Sequence, residues 1–91
     1  MSKSEIIRLS GLDDAVIGIA TRKGQEEVLA YDAKKIIQIL MNRDGMDSEE
    51  ALEFFYYNIA DAWMGEGTPV FIMLDEDILE NFTSATSIKF H

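Results

Sequence analysis

Residues 43–69 read RDGMDSEEALEFFYYNIADAWMGEGTP, and this stretch decides the fold. Gly45 marks the end of one helix, because glycine takes the left-handed cap at no steric cost. Asp47 begins the next, with Glu50 three residues later as its capping-box partner. Met46 precedes the cap and suits the apolar half of a hydrophobic staple. A single residue between stop and start predicts a tight αα-hairpin. Gly65-Glu66-Gly67 closes the second helix, and Thr68-Pro69 commits the chain to an extended path. The two helices are expected over 33–44 and 48–64.

Upstream, Asp32 is the N-cap of the first helix, its carboxylate placed to accept free N–H groups of the first turn. Ala33, Ile36, Ile37, Leu40 and Met41 recur at helical spacing, while Ile39 falls off that stripe. Arg43 sits in the last turn, where a cation suits the helix dipole. Residues 15–21 form a short β-branched apolar run and read as a buried strand. Gly18 within it suggests a bulge or a close backbone approach. Polar turn residues follow, then a second strand over 27–31, so 15–31 is expected to be an antiparallel hairpin. Residues 70–74 are another apolar strand. A turn or short helix over 75–82 and a terminal strand to Phe90 are expected after it, and residues 4–9 read as a short strand or a helical turn. The fold class is α+β: a small antiparallel sheet, hairpin 15–31 plus strand 70–74 and further strands at the termini, packed against the helix pair. Ninety-one residues make one domain, 1–91.

Composition narrows the function. There is no cysteine, and the one histidine is the last residue, His91. Disulfides and thiolate chemistry are excluded, and neither a His-based triad nor a His-rich metal site is expected. Seventeen acids against eight bases give a net charge of −9. Such a field repels nucleic acid and anionic membrane and favours basic partners. It also keeps a protein soluble, which is the plainer reading. No apolar run approaches the ~20 residues of a membrane span. The N-terminus lacks the apolar core of a signal peptide, so a cytoplasmic location is expected.

On a helical wheel of the second helix, Glu49, Glu50, Glu53 and Asp61 cluster on one side. Ala51, Leu52, Phe55, Ile59 and Ala62 form the core stripe, with Tyr56 and Trp63 at its edge. Phe54 and Tyr57 do not fit: Tyr57 lies among the acids and Phe54 beside them. An aromatic ring on a polar face is either covered by another part of the chain or meets a partner. The candidate partner-binding residues are therefore Glu49, Glu50, Glu53, Phe54, Tyr57 and Asp61.

Asn58 flanks the core stripe, and its expected role is structural, a buried amide that holds the 65–68 loop. With Asp32, Gly45, Asp47, Gly65 and Pro69 it makes up the capping and structural set. Gly65-Glu66-Gly67-Thr68 follows a helix and lacks the lysine of a phosphate loop, so no nucleotide is expected. Asp44 and Asp47 have the chemistry to meet a hard cation, but calcium-loop spacing is absent and helix capping explains them. No catalytic residue, metal or cofactor is expected.

The pattern L-A-Y-D over 29–32, then R-D-G-M-D-S-E-E-A over 43–51, Asn58, and G-E-G-T-P-V-F over 65–71 resembles a family of small proteins from bacteriophages, prophages and mobile elements. The resemblance implies a phage-type accessory protein working in the host cytoplasm, and it carries no catalytic residues across. The expected function is a non-enzymatic protein-interaction module, modulating or inhibiting a host factor, with a DNA mimic as one form. Two alternatives stand beside it: a structural homo-oligomer such as a homodimer through the aromatic helix face, and a small-molecule binder or enzyme with a carboxylate-lined pocket.

Overall fold

The computed structural model describes residues 6–75 and 86–89. A 3-10 turn over Asp13–Ala15 leads into β1, Val16–Ala20, which pairs with β2, Val28–Asp32. Two helices follow, α1 (Ala33–Asp44) and α2 (Ser48–Phe54), the second running on into a π turn over Phe55–Ala60. The last described strand is β3, Val70–Ile72. The expected helix or turn over 75–82 and most of the expected terminal strand lie outside the described residues, and 86–89 carry no regular structure. Residues 6–9 form neither strand nor helix. Among the described residues no helix is long and apolar enough to cross a membrane.

The arrangement is α+β, with strand order β1-β2-β3. The β1–β2 hairpin is antiparallel, but β3 runs parallel to β2, with Ala30 opposite Val70 and Asp32 opposite Ile72. The sheet is therefore mixed rather than wholly antiparallel. The reason is topological. Both helices intervene between β2 and β3, and residues 61–69 return the chain to the Ala30 end of β2 before it pairs.

The apolar run at 15–21 was expected to be buried, yet β1 is an edge strand with Ile17 and Ile19 exposed. An edge strand has one hydrogen-bonded neighbour, and its β-branched composition is the same as that of a central strand. The register slips between Val16 and Gly18, a bulge that leaves Ile17 unpaired. A side chain at Gly18 would meet nothing within 4 Å, so the bulge rather than close approach explains the position.

The helix boundaries follow from local chemistry. Asp32 accepts the Lys35 N–H at 3.2 Å. Gly45 closes α1 at φ 71°, and its N–H donates to the Leu40 carbonyl. At α2 the Asp47 carboxylate accepts the Glu50 N–H at 2.8 Å, and the Glu50 carboxylate accepts the Asp47 N–H at 3.2 Å. Two donors left orphaned by helix geometry are thus satisfied reciprocally.

The core gathers where the helices cover one end of the sheet. Tyr31, Ile36 and Phe55 are its largest fully buried side chains, and Ala33, Leu40 and Ala51 are buried with them. Burying a side chain the size of Ile36 or Phe55 stabilises by roughly 1.5–3 kcal/mol. Phe71 of β3 packs edge-on against Phe55, ring centroids 5.3 Å apart, and tilted against Tyr31 at 6.0 Å. That trio ties the sheet to the second helix. Ile39, which lies off the helical stripe, is nonetheless half-buried against the core.

Candidate partner-binding face

Four consecutive aromatics, Phe54 to Tyr57, cannot all face one core from one helix, because each residue turns the chain by about 100°. Phe55 takes the core position and is 2% exposed. Its neighbours are left outside: Phe54 is 39%, Tyr56 48% and Tyr57 78% exposed. From Phe55 the helix widens into a π turn, and it ends at Asp61 rather than near Met64. A π turn rotates each residue by about 80° instead of about 100°, so positions after it lag the α-helical wheel. One expectation fails at this end: Trp63 lies beyond the helix, off the core stripe, and is 74% exposed.

Two rows spaced by four residues, Leu52-Tyr56-Ala60 and Glu53-Tyr57-Asp61, line a furrow of about 590 Å³. It is shallow, open to solvent, and built from one stretch of chain. A second open hollow of about 320 Å³ adjoins it, with Glu50, Glu53, Phe54, Tyr57 and Asn58 on its walls. Glu53 and Tyr57 belong to both. Tyr57 therefore stands between two hollows, with carboxylates of Glu50, Glu53 and Asp61 around it.

Of the six residues expected to meet a partner, five line these hollows. Glu49 lines neither and lies exposed in the first turn of α2. Phe54 also lines a separate cleft towards Leu9, Leu40 and Arg43. Leu52 was assigned to the core and Tyr56 to its edge, but both are exposed on the furrow. The run of four aromatics was the available signal, since one helix could not bury all of them in one core.

Asn58 does not take its expected structural role. It is exposed and does not hold the 65–68 loop. Thr68 does so instead: its hydroxyl accepts the Met64 N–H at 2.8 Å and donates to the Gly65 carbonyl at 2.6 Å. Gly65 sits at φ 101°, a conformation that a side chain would strain, and Pro69 is buried directly after the loop.

The acidic loop between the helices is taken up by structure. Asp47 caps α2. Asp44 accepts from Arg43 Nε at 2.8 Å and Nη2 at 3.0 Å, while Arg43 Nη1 donates to the Gly11 carbonyl at 2.9 Å. These hydrogen bonds hold the Asp44 carboxyl below its ordinary range and the Arg43 guanidinium above its own. No protein-family model, curated protein or solved structure matches the chain.

Proposed function

We propose that this is a small acidic accessory protein of phage type, a non-enzymatic module that binds a basic protein surface through the outer face of α2 and the π turn. The observation that carries the reading is Tyr57. It is 78% exposed in the middle of an element, with carboxylates on both sides and apolar Leu52 and Tyr56 in the same furrow. An amphipathic aromatic with an acidic rim suits a partner that brings apolar contact and cations together. π turns are rare and concentrate at functional sites, which adds weight to this stretch. The resemblance of residues 29–71 to small phage and prophage proteins supports a setting in the host cytoplasm. One form of the function is a DNA mimic, with Glu50, Glu53 and Asp61 occupying the phosphate sites of a basic enzyme.

Acid–base catalysis is the weaker reading. The hollows do pair Glu53 with Asp61 and Glu50 with Glu53. All four acids of this face are exposed, however, and carboxylates on an open surface stay solvated. A homo-oligomer through Phe54 and Tyr57 would use the same face. The test is affinity capture with wild type and a Glu49/Glu50/Glu53→Lys triple variant, both shown to be folded, followed by direct binding to the purified partner. Loss of the partner with the triple variant supports the reading. Unchanged capture removes it, and dimerisation in light scattering that survives the triple variant favours the oligomer.

A further inference from the structure

A different cleft lies at the turn end of the β1–β2 hairpin and shares no lining residue with the helix face. It measures about 470 Å³, and Arg22, Glu26, Val28, Trp63, Glu66 and Val70 are among the residues that line it. Val28 and Val70, from adjacent strands, supply apolar lining. Trp63, 74% exposed as a residue, lines the cleft.

Both loops at this cleft are closed locally. The Gln25 N–H donates to the Arg22 carbonyl at 2.9 Å, which sets the turn carrying Arg22 and Glu26. Thr68 pins the turn carrying Trp63 and Glu66 through its hydroxyl, and its N–H donates to the Gly65 carbonyl at 3.1 Å. The backbone that carries Trp63, Glu26 and Glu66 is therefore set by local hydrogen bonds, which lowers the ordering cost of binding.

We propose that the cleft lined by Trp63, Glu26, Glu66, Val28 and Val70 receives the guanidinium group of an arginine side chain on a partner protein. A guanidinium is planar and weakly hydrated, stacks on an indole face, and forks its donors to carboxylates. Two carboxylates against Arg22 leave this cleft net negative, in a chain that is itself strongly acidic. Arg22 opposes the incoming cation, so its removal should tighten binding.

Trp63 is the single tryptophan of the chain, so fluorescence excited selectively at tryptophan, away from the three tyrosines, reports on this cleft. The experiment titrates the full chain with N-acetyl-arginine amide, N-acetyl-citrulline amide and N-acetyl-lysine amide at matched ionic strength. A saturable millimolar response is expected for the arginine probe, with none for neutral citrulline and a weaker one for lysine. Glu26→Gln and Glu66→Gln should each weaken arginine binding roughly twofold to fivefold, and Arg22→Gln should strengthen it by a similar factor. Glu53→Gln, on the helix face, should leave it unchanged. A response to citrulline equal to that to arginine, a response that never saturates, or indifference to Glu66→Gln overturns the proposal. Equal binding of the lysine probe overturns the guanidinium assignment.

Discussion

The phenol oxygen of Tyr31, in the middle of the sheet, accepts the backbone N–H of Leu9 at 2.8 Å. One fully buried side chain thus fastens the N-terminal segment to the core, across 22 residues of chain. Tyr31→Phe keeps the ring contact with Phe71 and leaves the Leu9 N–H without its acceptor. The expected cost is about 1–2 kcal/mol in urea unfolding. Amide exchange should quicken at Leu9 more than in α1.

Phe55 and Tyr57 are two residues apart and should behave oppositely. Phe55→Ala opens a hole between Phe71 and Ala51 and should cost about 3–5 kcal/mol. That approaches the whole stability of a domain this size. Tyr57→Ala should stay within about 0.5 kcal/mol of wild type, because the ring stands outside the core. Thermal melts of the two variants check both.

The helix hairpin depends on its punctuation. Asp47→Ala removes one half of the capping box and should cost about 1 kcal/mol. Gly45→Ala forces a side chain into φ 71° and should cost about 1–2 kcal/mol. Chemical denaturation of the two single variants and the double variant would also measure their coupling, since only Met46 separates them.

The Arg43–Asp44 pair sets the direction of one pH effect. The Asp44 carboxyl is held low in the folded state by the hydrogen bond from Arg43. A carboxyl lowered by folding adds stability above its unfolded value and loses it as pH falls through the folded one. The raised Arg43 guanidinium matters only at strongly alkaline pH, where arginine loses its proton. Wild type should therefore lose more stability than Asp44→Asn as pH drops from about 5 to about 2. Both groups are solvated, so the difference should be small and should shrink with added salt. Melts across that range at two salt concentrations read it out.

Local signals were legible in the sequence because their chemistry is local. Asp32, Gly45, Asp47 and Glu50 act within one helical turn of themselves, and each does in the fold what its residue type requires. The parallel pairing of Val70–Ile72 with β2 was not legible, because it depends on the path of 61–69 through space. Trp63 was misplaced for a different reason. A helical wheel presumes that the helix runs on with a constant turn per residue, and here a π turn follows Phe54 and the helix ends at Asp61, before Trp63. The acidic, aromatic character of the helix face was readable from composition, whereas its division into two hollows that share Glu53 and Tyr57 required coordinates.

The most direct test of the helix face is affinity capture from a bacterial lysate with wild type beside Tyr57→Ala, after circular dichroism shows both folded. The expected result is a basic protein held by wild type and released by Tyr57→Ala. Recovery of the same proteins by both would contradict a partner-binding role for the face.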